Sequence, residues 1–335
     1  MEISELDRTV AASNFKNVYF FYGDETFLME NRIKRIKKKL IFADFADFNY
    51  ALFSGKDFSL EDILETAQSY PVMAERKLVV LKNTGVFQNA KSREFKAIKE
   101  LCENPPEFLC LIICEEKFDK KKAAALKFLD DCGAVVRFDY LSEIQCERWL
   151  EKLFEKEEKS IYPRELTAIV RRCGGKLGTI YSEFVKLVCY MGERQKVTAE
   201  DVLKVVSKSV DVAIYDLLDY IIENRPEKAM EAYKELIDNK TEPIVIISVI
   251  SSKLSDLLIA KILSGEGMQY RDIGKYLDCI PQDWLIKKTV AQSKRFGERY
   301  LKRMMFKAAG YDLKIKTGYM DKEIALQLLI ADLVK

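Results

Sequence analysis

Histidine is absent from all 335 residues. That removes the usual general base, the Ser–His and Cys–His nucleophile pairs, and most zinc sites. The eight cysteines (102, 110, 114, 132, 146, 173, 189 and 279) form no C-x-x-C pair. They read as reduced core thiols of an intracellular chain, not as a redox or metal motif. Charge of one sign is also lacking: 55 basic against 53 acidic residues leave +2. Any nucleic-acid contact must therefore come from a local patch. No stretch approaches the ~20 uninterrupted apolar residues of a membrane span. The opening MEISELDRTV has no basic-then-apolar secretory pattern, so a cytoplasmic protein is expected. Catalysis is disfavoured from composition alone.

What is present is a soluble, globular mixture, 48% hydrophobic and 32% charged, long enough for two or three domains. The organising stretch is Val18–Lys39. A short apolar run (Val18–Tyr22) stops at Gly23-Asp24-Glu25, and a helix-period segment follows. Strand, tight turn and helix N-terminus are where a mononucleotide-binding fold carries its phosphate loop. Such a loop needs several glycine-rich N–H donors, a lysine and a hydroxyl for magnesium. One glycine and two carboxylates would instead repel a triphosphate. Asp24 is the expected N-cap, with Glu25 at the positive end of the helix dipole.

Further strands are expected at Phe48–Phe53, Leu78–Lys82, Phe108–Cys114 and Val135–Phe138. Amphipathic helices are expected near 25–40, 59–69, 91–102 and 119–131. This alternation predicts an α/β domain with a parallel sheet covered on both faces. Met29, Ile33, Ile36 and Leu40 make the buried stripe of the first helix. Arg32, Lys34, Arg35 and Lys37–Lys39 lie opposite, a solvated face or a nucleic-acid patch. After Leu141 the strands stop. Helices are expected at Ile144–Glu158, Pro163–Cys173, Leu177–Met191 and Thr198–Ser207. Thr198-Ala199-Glu200-Asp201 resembles a capping box. From residue 211 onward the pattern is again helical, with Pro226, Pro243 and Pro281 at helix starts. The Asp272–Leu277 stretch is among the helices expected there.

Short motifs mostly exclude chemistry. Gly55-Lys56, Gly175-Lys176 and Gly274-Lys275 lack both the phosphate-loop spacing and a following Ser or Thr. Leu111–Glu116 mimics an apolar strand ending in magnesium-binding acids, but with no phosphate loop it reads as plain surface. Lys316-Thr317-Gly318 and Ser13-Asn14-Phe15-Lys16 evoke penicillin-binding enzymes, yet the triplet ends a helix and S-D-N is absent. No catalytic residue and no metal site are assigned.

The segment from Gln68 to Lys77 is more informative. Tyr70, Val72 and Met73 are large apolar groups in a connection expected at the end of the sheet. Leaving such groups in water costs roughly 1.5–3 kcal/mol each relative to burial, which marks a binding surface. They either meet a partner or tuck under the sheet as satellite core.

The markers Tyr19-Phe20-Phe21-Tyr22-Gly23-Asp24-Glu25-Thr26-Phe27-Leu28 and Met73-Ala74-Glu75-Arg76-Lys77-Leu78-Val79-Val80-Leu81-Lys82-Asn83 occur in order. Phe118-Asp119-Lys120-Lys121, Ile214-Tyr215-Asp216-Leu217-Leu218-Asp219 and Asp312-Leu313-Lys314-Ile315-Lys316-Thr317-Gly318 follow. Over nearly its whole length the sequence resembles the delta subunits of bacterial DNA polymerase III, clamp-loader subunits that open the sliding clamp. The resemblance implies an AAA+-like domain without nucleotide binding at 1–140, a small helical lid at 141–209 and an all-α collar at 210–335. It implies that Val72 and Met73, with Tyr70 and Gln68 alongside, enter a hydrophobic pocket of the clamp. Val-Met departs from the bulkier Leu-Phe type of pair often found there.

The implied partners are the sliding clamp (beta subunit), the gamma/tau and delta prime subunits through 210–335, and primer-template DNA, weakly and within the complex. No cofactor is expected on this chain; ATP would be bound by partner subunits. The expected location is the cytoplasm, associated with the nucleoid, with no membrane partner. Competing readings are an active ATPase, a DNA-binding AAA+-like adaptor using Arg32–Lys39 and Lys120–Lys122, and a helical scaffold.

Overall fold

The computed structural model describes residues 1–335 except 56, 90, 117, 119–122, 224, 239–240, 279–281 and 335. Of the features expected above, Lys56, Cys279, Pro281, Lys120–Lys122 and the 119–121 part of one marker lie outside the described residues. The chain divides into two compact units, Met1–Tyr140 and Leu141–Lys335.

The first unit is a five-stranded parallel sheet flanked by helices. Its strands are β1 (Val18–Tyr22), β2 (Tyr50–Ser54), β3 (Lys77–Lys82), β4 (Leu109–Glu115) and β5 (Ala134–Arg137). Their order is β2-β3-β4-β1-β5, and every pairing is parallel. The central strands β1 and β4 are buried at every position, which is why both read as unbroken apolar runs. The helices are α1 (Ile3–Ala11), α2 (Thr26–Leu40), α3 (Ala46–Asn49), α4 (Leu60–Gln68), α5 (Arg93–Glu103) and α6 (Ala123–Cys132).

One side of the sheet packs Val18, Phe20, Val79, Leu81, Leu111 and Ile113 against Ile63 of α4, Ile98 of α5 and Leu129 of α6. Tyr19 and Phe21 alternate to the other side, where Leu28, Met29, Ile33 and Ile36 of α2 are buried. Each such side chain contributes roughly 1.5–3 kcal/mol of burial.

Two local differences from the sequence expectation stand out. Helix α1 is unanticipated, because only Leu6 and Val10 mark its buried face. The expected strand start at Phe48 belongs to α3, which follows a 3-10 turn at Ala43–Phe45. Phe48 projects into solvent, 60% exposed, and the strand begins at Tyr50.

The second unit is helical: α7 (Glu143–Lys156), α8 (Pro163–Arg172), α9 (Leu177–Met191), α10 (Ala199–Val205), α11 (Val210–Ile222) and α12 (Pro226–Asp238), then α13 (Pro243–Gly265), α14 (Tyr270–Ile273), α15 (Asp283–Ser293), α16 (Glu298–Lys316) and α17 (Lys322–Val334). The expected capping box is present: Asp201 N–H donates to Thr198 Oγ1, and Thr198 N–H donates back to Asp201 Oδ2. Ser142 and Gln145 form a second box at α7. The helix expected over Asp272–Leu277 is a single turn, Tyr270–Ile273.

Helix α13 is long and apolar enough to cross a membrane by length and composition. Here Ile246, Ile247, Ile250, Leu254 and Leu257 pack instead in a core with Leu301 and Met304 of α16 and Leu326 and Leu329 of α17. Lys253 and Asp256 interrupt the same helix, both buried and 3.8 Å apart, with the Asp278 N–H donating to Asp256 Oδ1.

Candidate protein-binding surface

The two edges of the sheet differ in character. Ligands of open α/β sheets sit at the carboxyl ends of the strands, and here the end of β1 is closed by the chain itself. Gly23 has φ +131°, and a Cβ on it would lie 2.2 Å from the Phe138 carbonyl oxygen. The Glu25 N–H donates to that same oxygen at 3.0 Å. The N-cap of α2 is Glu25, not the exposed Asp24.

Burial pushes the Glu25 carboxyl up to about 7, against the pull of the Phe27 and Leu28 N–H groups at the helix start. Glu115, at the end of β4, is 3% exposed. It accepts the Gly85 N–H at 2.8 Å and the Thr84 hydroxyl at 3.3 Å. Burial raises its pKa as well. The acidic strand end is therefore not plain surface: Glu115 serves as an internal brace for the turn at 83–85. Its neighbour Glu116 exchanges two hydrogen bonds with the Asn83 side chain, at 2.8 and 3.0 Å.

The amino-terminal edge is where apolar groups reach solvent. The α4–β3 connection, residues 69–76, enters β3 from that side. Tyr70 is 82% exposed, Met73 77% and Val72 42%. Gln68, the last residue of α4, is exposed too. All four residues singled out in the sequence thus face water, three on the connection and Gln68 at the helix end that leads into it. The satellite-core reading of Val72 and Met73 is not what the structure has.

Firm supports lie underneath. Lys77 Nζ donates to Ser69 Oγ at 2.5 Å, and burial holds its ammonium below the usual lysine value. The Tyr70 ring lies 5.0 Å from that of Phe108. Asn49, fully buried, donates from Nδ2 to the Val72 carbonyl and accepts the Val72 N–H on Oδ1, both at 2.7 Å. Met73 follows with φ +50°, a left-handed conformation uncommon for a bulky residue.

Asn49, Lys77 and Phe108 escaped sequence reasoning. Asn49 sat inside an expected strand, and the others sat in or beside expected strands. Phe42 and Phe48, 68% and 60% exposed on the segment before β2, were missed as well.

The basic face of α2 is partly consumed internally. Arg32 Nη2 and Arg35 Nη1 reach the Asp7 carboxylate of α1 at 2.8 and 2.7 Å, and Lys37 Nζ sits 3.4 Å from the centre of the Tyr50 ring. Lys34, Lys38 and Lys39 remain exposed.

The fold is an α/β unit with a five-stranded parallel sheet, followed by a helical unit. Comparison with known proteins names the family. The family description "DNA polymerase III, delta subunit" matches residues 19–139, and "DNA polymerase III delta subunit, C-terminal domain" matches residues 211–333. DNA polymerase III subunit delta of Bacillus subtilis is 26% identical over 325 residues, covering 95% of this chain and 93% of that one. A probable DNA polymerase III subunit delta of Aquifex aeolicus is 22% identical over 316 residues, covering 91% and 88%. The solved structure of the Bacillus subtilis DNA clamp loader delta protein matches with a TM-score of 0.73 at 24% identity, over 99% of each chain. This chain belongs to the DNA polymerase III delta subunit family.

Proposed function

We propose that this chain is the clamp-opening subunit of a clamp loader, acting in DNA replication through the Tyr70–Met73 surface. The observation that carries the reading is the exposure of Tyr70, Val72 and Met73 on a connection whose base is tied down at Ser69, Tyr70 and Val72. Large apolar side chains presented on a braced loop suit insertion into a partner's pocket, where aromatic and aliphatic anchors supply most of the binding energy. Val72 and Met73 are the anchors, with Tyr70 and Gln68 flanking.

The work done is binding, not bond chemistry. A closed ring is opened by a wedge only to the extent that the wedge binds the open state better than the closed one. Residues 210–335 form the collar that assembles with the other loader subunits, and residues 141–209 the lid-like module between. ATP is bound by those partners and governs when the wedge is free. Primer-template DNA is touched weakly, within the complex, in the nucleoid region of the cytoplasm.

The test is a pull-down of purified sliding clamp by the full chain. Val72 and Met73 contribute about 1.5–3 kcal/mol each if fully buried, so Val72→Ala with Met73→Ala should weaken capture by at least about 100-fold. Assembly with the partner subunits should survive. Undiminished capture by the double variant removes the assignment.

A further inference from the structure

The clamp-binding reading leaves open what holds Met73 in a conformation it would not choose. Asn49 is 0% exposed, yet its side chain makes no use of α3 or β2; it spends both ends of its amide on one residue of the neighbouring connection. Accepting one residue's N–H while donating to its C=O requires both groups to point the same way, as they do in an extended residue. The amide therefore stands in for a neighbouring strand, replacing the paired bonds of a ladder. Among the described residues it is the only hydrogen-bonding partner of the backbone from Tyr70 to Glu75.

The next residue, Met73, turns left-handed at φ +50° and stands 77% exposed. A bulky residue held there is a strained outlier that persists only when its surroundings over-determine it. The clasp on Val72 supplies that determination one bond before the turn. The Asn49 end of the clasp is fully buried, which limits the competition of water for its amide.

Resting on the clamp-binding reading above, we infer that Asn49 is a positioning residue for that surface: its amide pre-organises Val72 and Met73 in the conformation that the partner's apolar pocket receives. Asn49 itself touches no partner. Without it the connection samples other conformers, and apparent affinity falls by the fraction of time the competent one is lost.

The experiment is a double-mutant cycle on the full chain, with purified sliding clamp as the probe and equilibrium affinity as the readout. Asn49→Ala should weaken binding about 10-fold, as expected if the competent conformer drops to a tenth. In a background carrying both Val72→Ala and Met73→Ala the same change should cost little, because both anchors it positions have gone. An equal penalty in both backgrounds overturns the inference, since it marks a general structural effect. Full affinity of Asn49→Ala overturns it too.

Hydrogen exchange on the unsubstituted chain gives a check that does not depend on any variant folding. The Val72 amide should be protected while those of Tyr70 and Met73 exchange quickly. A fast Val72 amide overturns the proposal. The clamp-binding reading fails separately: if Val72→Ala with Met73→Ala binds like the parent, the surface is wrong whatever Asn49 does.

Discussion

The carbonyl oxygen of Phe138 lies 2.2 Å from where a Gly23 side chain would begin. The same oxygen accepts the Glu25 N–H, and the Phe138 N–H donates to Tyr22 O at 2.8 Å. The end of β5 is thus sewn to the turn that follows β1, in the place where a mononucleotide fold opens its phosphate loop. Gly23→Ala must overcome both a left-handed φ of +131° and a clash with backbone that cannot swing aside. We expect a loss of about 3 kcal/mol or more, in the upper range for single substitutions. Thermal or urea unfolding measures it; a parent-like midpoint would show that this turn relaxes freely.

Glu25 predicts a pH dependence. Its pKa in the folded chain is raised from 4.5 to about 7, chiefly by burial. Between those values the folded state holds more protons than the unfolded one, so this group's contribution to stability falls as pH rises, and is fully lost above 7. Glu25→Gln removes the ionisation. It should match the parent near pH 4 and exceed it by up to about 3 kcal/mol at pH 8. Unfolding curves at the two pH values decide it. A gap that stays constant or shrinks with pH contradicts the buried carboxyl.

Met73→Gly separates backbone from side chain. Glycine adopts φ +50° without strain but loses more entropy on folding, so stability should stay within about 1 kcal/mol of the parent. Clamp affinity, on the proposed reading, should still fall about 10-fold, the effect of deleting an apolar anchor worth roughly 1.5 kcal/mol. A variant that melts far below the parent would place Met73 among the fold's own supports.

Much of this molecule can be read along the chain because its signals are local. The run Val18–Tyr22 is buried at all five positions, and a strand covered on both faces needs no polar alternation. Thr198 and Asp201 announce their cap by spacing alone. The lack of a phosphate loop is a matter of residue types within a few positions. The exposed set Tyr70, Val72 and Met73 is nameable for the same reason, as apolar groups in a connection, whereas Gln68 is named only by the family resemblance. Phe48 suits both a strand and a short helix by residue type, and only the fold puts it on α3, where it is exposed.

The rest depends on what tertiary structure brings together. Nothing local pairs Asn49 with Val72 across 23 positions, and a buried asparagine inside an expected strand carries no sign of the loop it grips. Glu115 reads as an exposed strand end until the 83–85 turn folds over it and supplies its donors. Glu25 reads as an ordinary acid at a helix start until burial raises its pKa. By itself the sequence determined the alternation of strands and helices and the lack of a phosphate-loop motif, because periodicity and residue type act over short range. Which polar groups would be desolvated, and which side chain would hold the exposed loop in shape, was decided only when distant segments packed. Burial and paired hydrogen bonds are properties of that packing.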